Sequence, residues 1–124
     1  MACRITEFSL DCHDPERLAR FWCAVLGYVE LADEETFIEI GPAGPRGTQP
    51  TMILNRVPEP KRDKLRLHFD VNATDRDQAA ELDRLLELGA KPVDIGQRGD
   101  ESWHVLADPE GNEFCLLSGI VDPV

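Results

Sequence analysis

Residues 13–28 read HDPERLARFWCAVLGY, and residues 74–90, TDRDQAAELDRLLELGA, repeat the same plan. In the first stretch Asp14 can cap the opening amides, Pro15 suits a first turn, and Gly27 can end the helix in a left-handed conformation. Leu18, Phe21, Trp22, Val25 and Leu26 recur at helical spacing and predict one apolar face. In the second stretch Thr74 or Asp75 is the expected cap. Ala79, Leu82, Leu85 and Leu86 form the expected face, and Gly89 is the terminator.

Gly27 and Gly89 lie 62 positions apart, half of a chain of 124 residues, and Asp14 and Asp75 lie 61 apart. Such spacing predicts an internal duplication of a unit of about 60 residues. Each helix follows a stretch of alternating character, CRITEFSLDC (3–12) and KLRLHFDVNA (64–73). Each is followed by three more candidate strands. In the first half these are YVEL, TFIEI and TMILNRV; in the second they are KPVDI, SWHVLA and NEFCLLS. The expected class is α+β, with the order βαβββ occurring twice.

The expected organisation is one domain over residues 1–124, with a first module at about 1–57, a linker at about 58–63 and a second module at about 64–118. GPAGPRGTQP (41–50) reads as an exposed loop. In the linker stretch VPEPKRDK (57–64), Lys61, Arg62 and Lys64 read as a solvated connector.

Hydrophobic residues at 42% and charged residues at 30% place the chain among globular proteins. A net charge of −11 repels phosphate backbones and argues against a nucleic-acid partner. No apolar run reaches the roughly 18 residues that a membrane span needs, and the start lacks a secretory pattern, so a cytoplasmic location is expected. Cys3, Cys12, Cys23 and Cys115 show no CxxC spacing and are expected to be free thiols.

Alternation assigns faces. Leu65, Leu67, Phe69 and Val71 are expected to pack on a helix, leaving Arg66, His68 and Asp70 on the opposite side. Ile5, Glu7, Ser9 and Asp11, and likewise Glu113, Cys115 and Leu117, fall on that second face. A surface that mixes polar and apolar side chains in this way suits a small-molecule pocket. His104 and Trp103 point opposite ways, and Trp103 is the preferred pocket wall, with core filling as the alternative.

The stretches DCHDPERLARFWCAVLGY, RVPEPKRDKLRLHFDV, LLELGA and WHVLADPEGNEFCLL together resemble the vicinal oxygen chelate superfamily, the group of glyoxalase I, extradiol dioxygenases and bleomycin-resistance proteins. The closing DPEGNEF is the most specific of these signatures. The resemblance implies the glyoxalase/bleomycin resistance/dioxygenase fold, in which two βαβββ modules curve a mixed sheet around a cavity. It also implies a homodimer and a small-molecule ligand. Metal-binding members place ligands on the first and last strands of each module, and these positions map to Glu7, Asn55, His68 and Cys115. The duplication pairs Glu7 with His68, 61 positions apart, and Asn55 with Cys115, 60 apart.

One glutamate, one histidine, an amide and a thiol match neither the ligand set of glyoxalase I nor that of the dioxygenases, so both activities are disfavoured. Two readings follow. One is a binding module without enzymatic activity. The other is a lyase or isomerase with Glu7 or His68 as base, with or without a divalent metal (Zn, Ni or Fe) held by Glu7, His68 and Cys115. Asn55, Arg66, Asp70, Trp103 and Cys115 would then line the substrate. The bland alternatives are an ion pair of Glu7 with Arg66, and a His68 satisfied by Asp70, Arg66 or a backbone group.

Overall fold

A computed structural model describes residues 1–123. It divides between Pro60 and Lys61 into two compact units, each a βαβββ module.

In the first unit β1 (Glu7–Cys12) leads into α1 (Pro15–Leu26), then β2 (Tyr28–Asp33), β3 (Phe37–Pro42) and β4 (Thr51–Arg56). The sheet order is β1-β4-β3-β2. β1 runs parallel to β4, which the crossover through α1 permits, and the remaining pairs are antiparallel. The Asp14 carboxylate accepts from the Arg17 amide, and Gly27 takes the left-handed conformation with φ 69°, as the sequence predicts for both ends of α1. Leu18, Phe21 and Trp22 are buried against Ile38, Ile40, Met52 and Leu54 of the sheet. Trp22 and Phe21 meet edge to face at 5.2 Å.

In the second unit β5 (Phe69–Ala73), α2 (Gln78–Leu88), β6 (Lys91–Pro92), β7 (His104–Ala107) and β8 (Glu113–Ile120) follow in turn. The order β5-β8-β7-β6 repeats that of the first sheet. Phe114, Leu116, Leu106 and Leu85 are almost wholly buried and form this unit's core. The turn before β8 is built by Asp108, whose carboxylate accepts from the amides of Glu110 and Asn112 and from the Asn112 side chain. Both Asp108 and Asn112 are buried, and this mutual satisfaction removes the desolvation cost.

Three expectations for the second unit are corrected. The cap of α2 is Asp77, whose carboxylate accepts from the Ala80 amide, rather than Thr74 or Asp75. Asp75 is instead engaged by its neighbour Arg76. The inner face of α2 carries Glu81 and Leu85, with Leu82 and Leu88 half-buried, while Ala79 and Leu86 are exposed. Glu81 tolerates burial because Arg84 Nε donates to it at 2.6 Å. Finally, residues 64–68 are irregular rather than the start of a strand, and Leu67 is 66% exposed.

Among the described residues no helix is long and apolar enough to cross a membrane.

Candidate functional site

The strand register decides which side chains share a face, because residues directly opposite one another on neighbouring strands point the same way. In the second sheet Phe69 lies opposite Phe114 and Val71 opposite Leu116, so these apolar residues share the core side. Asp70 lies opposite Cys115, and Cys115 lies opposite Val105. Asp70, Cys115 and Val105 therefore form one row across three strands on the other face. Glu113 and Ala107 form the next row.

Over this face runs the segment that the sequence predicts as a strand. Its shape follows from Glu113, whose carboxylate accepts Lys61 Nζ at 2.7 Å and the Leu65 amide at 2.9 Å. An amide bonded to a side chain is lost to the ladder, so residues 61–68 become a strap rather than an extension of β5. Lys61, expected to be a solvated connector, is instead largely buried in this ion pair. Beyond the anchor, Lys64 Nζ lies 2.9 Å from His68 Nε2 and 3.3 Å from the Leu65 carbonyl oxygen, itself 3.1 Å from His68 Nε2.

Burial pushes the Cys115 thiol up. The Asp70 carboxylate adds to this through its charge and through a hydrogen bond from the thiol, while Lys64 acts in the opposite direction. Cys115 is 7% exposed and so is core-like in burial while it faces Asp70. For Glu113 burial also pushes upward, but the bonds from Lys61 and Leu65 outweigh it and hold the carboxyl below the usual range.

The second half thus brings Asp70 and Cys115 together, and Lys64 links His68 to them. Arg66 is exposed in the bend of the strap. Trp103 precedes β7 and is 43% exposed, which corrects the alternative that it fills the core. His104 is exposed and lies opposite Leu116, on the core side.

In the first half Glu7 is exposed at the start of β1, opposite Thr51. Asn55 is half-buried, opposite Asp11 on one side and Phe37 on the other. Four residues of strand, about 13 Å, separate the rows of Glu7 and Asn55. Asp11 lies opposite Asn55 and Ser9 opposite Ile53 in the first sheet, as Asp70 lies opposite Cys115 in the second. The same open face carries Glu39, which accepts from Thr51 Oγ1 at 2.9 Å.

The resemblance implies a divalent metal, and the donors of the second half do not fit one. The Cys115 thiol is buried and hydrogen-bonded to Asp70, so a metal would bind it only with release of a proton that burial and Asp70 both favour. An ammonium group 2.9 Å from His68 Nε2 stands where a metal cation would have to bind. Within either half, among the described residues, no three His, Cys, Asp or Glu side chains gather as a metal site requires.

Sequence reasoning placed Lys61 and Lys64 in the linker and missed their part in this face. Glu113 was placed on the face but not recognised as an anchor. The available signal was its position two residues before Cys115, with a basic cluster 52 positions upstream.

Comparison with known families matches residues 7–117 to the glyoxalase-like domain. No curated protein sequence matches the chain. Among solved structures, the fosfomycin resistance protein FosX from Mesorhizobium loti is similar with a TM-score of 0.71 at 15% identity, covering 98% of this chain and 96% of that one. FosX from Listeria monocytogenes, in a structure complexed with Mn(II) and sulfate, gives 0.73 at 14% identity, covering 98% and 94%. A glyoxalase/bleomycin resistance protein/dioxygenase family enzyme from Burkholderia phytofirmans PsJN gives 0.61 at 19%, covering 92% and 97%. At these identities the likeness establishes the fold, that of the vicinal oxygen chelate superfamily, and no activity.

Proposed function

We propose, from the premise that the chain belongs to the glyoxalase-like domain family, that it binds a small organic molecule at the strap-covered face of its second sheet. The observation that carries this reading is the row Asp70, Cys115, Val105 beneath a strap bearing Lys64 and His68. An apolar floor with a few polar groups converging on it is what a small-molecule site requires. Binding rather than metal-dependent lyase or isomerase chemistry is favoured because an ammonium group faces the histidine and, among the described residues of either half, no three His, Cys, Asp or Glu side chains gather.

The proposal treats residues 1–124 as one domain of two modules that works as a homodimer, as the resemblance implies. Light scattering at a monomer mass would remove the dimer. The binding reading is tested by adding a fragment library to ¹⁵N-labelled protein. Shifts centred on the amides of residues 64–70, Val105 and 113–117 are expected. Hits that cluster elsewhere and leave those amides unmoved would refute it.

A further inference from the structure

We propose that the ammonium of Lys64 serves as a resident cation for this face and receives the anionic oxygen of the ligand, a small organic acid. The inference rests on the binding reading above and names the ligand class.

A lysine ammonium carries three donor hydrogens. With His68 in the tautomer that leaves Nε2 as an acceptor, that nitrogen at 2.9 Å and the Leu65 carbonyl oxygen at 3.3 Å use two of them. The third has no hydrogen-bond partner among the described residues, and the Lys64 side chain is exposed to solvent. A flexible four-carbon stem would ordinarily leave such a charge loosely placed. Here the stem starts one residue from the Leu65 amide, which Glu113 fixes at 2.9 Å, and Glu113 is fixed in turn by Lys61 at 2.7 Å. The two acceptors then hold the head group near enough to Cys115 for its charge to act on the thiol.

The surroundings select the ligand class. The half-buried Leu117 offers apolar area for an organic body, with the buried Val105 behind the same face. Asp70 disfavours a second anionic group near it and suits a hydroxyl donor. A carboxylate on a short apolar body satisfies the remaining ammonium hydrogen with a charge-assisted bond, whereas the corresponding amide offers only a neutral carbonyl.

The experiment uses matched pairs, benzoate with benzamide and isobutyrate with isobutyramide, titrated into the ¹⁵N-labelled full chain. The amides of residues 64–70, Val105 and 113–117 are followed. Each acid is expected to bind about ten-fold more tightly than its amide, as a charge-assisted bond exceeds a neutral one. Lys64→Met should abolish the preference by lowering acid affinity more than amide affinity until the two are equal, while Lys64→Arg should restore it. Because Lys64 is exposed, both variants are expected to keep the wild-type amide spectrum away from the strap.

Equal affinity for acid and amide, or an acid preference that survives in Lys64→Met, would overturn the resident cation and leave the binding face standing. Binding of all four probes away from this face would overturn both. Titration with Mn(II) supplies an independent arm. Paramagnetic broadening at residues 64–70 and 115 by one equivalent would show that a metal, not the ammonium, takes this position.

Discussion

Lys61 and Glu113, 52 positions apart, close a 2.7 Å ion pair with only 16% and 8% of their side chains exposed. The same carboxylate holds the Leu65 amide, so one side chain ties the start of the second module to its last strand. The pair supports the strap over the candidate site as well as the fold.

Removal of one partner leaves a charge buried without compensation. Lys61→Met is expected to cost about 3 kcal/mol, at the lower end of the range for breaking a buried pair. Urea denaturation measures it, and a cost below about 0.5 kcal/mol, the level of an ordinary surface change, would show that the pair is not structural.

The pH dependence has a definite sign. Glu113 is held below the usual range, so its contribution is complete above the unfolded glutamate value of about 4.3 and disappears as pH falls through the folded value. The stability gap between wild type and Glu113→Gln should therefore shrink as pH is lowered from about 7 to about 3. A gap independent of pH would contradict the assignment.

Cys115 should be the slow thiol. Its proton is retained by burial first and by Asp70 second, whereas Cys3 is exposed. Iodoacetamide at neutral pH is expected to modify Cys3 at least about ten-fold faster, since the thiolate is the reactive form. The raised value also gives stability that is present below about pH 8.5 and is lost as pH rises through the folded value. Asp70→Asn should accelerate Cys115 alkylation. Peptide mass spectrometry reads both rates, and equal rates for the two thiols would refute the environment described.

The cap of α2 separates two sequence alternatives by energy. Asp77→Ala is expected to cost about 1 kcal/mol, because the Ala80 amide loses its acceptor. Thr74→Ala should stay within about 0.5 kcal/mol. Reversed magnitudes in chemical denaturation would restore the earlier cap.

The loop at residues 41–50 is held at its end by Tyr28, whose hydroxyl oxygen lies 2.7 Å from the Pro50 carbonyl oxygen and 3.1 Å from Gln49 Oε1, both acceptors within its reach. Tyr28→Phe is expected to cost about 1 kcal/mol and to speed amide exchange in the loop. Unchanged exchange at Thr48 and Gln49 would show that Arg4, which donates to the Gly47 carbonyl at 2.8 Å, suffices.

Much of the architecture was legible in local chemistry. Asp14 and Gly27 mark the ends of α1, and Gly89 ends α2, because caps and left-handed turns depend on a few adjacent residues. The apolar stripe of α1 and the element order βαβββ repeated in both halves follow from periodicity and turn signals. The inner face of α2 was misread because Glu81, polar by type, is buried with Arg84, and a buried ion pair has no hydrophobic signature.

For the candidate site the division is sharper. Sequence alone determined the βαβββ duplication and the placing of Asp70 and Cys115 opposite the core side, which rest on spacing and alternation, and the family, which rests on the resemblance of its motifs. Only the tertiary structure decided that Asp70 lies directly opposite Cys115, that residues 61–68 form a strap, and that Lys64 reaches His68. Register and long-range ion pairs depend on partners more than 40 positions away. A local pattern carries no record of which distant carboxylate will take an amide from the ladder.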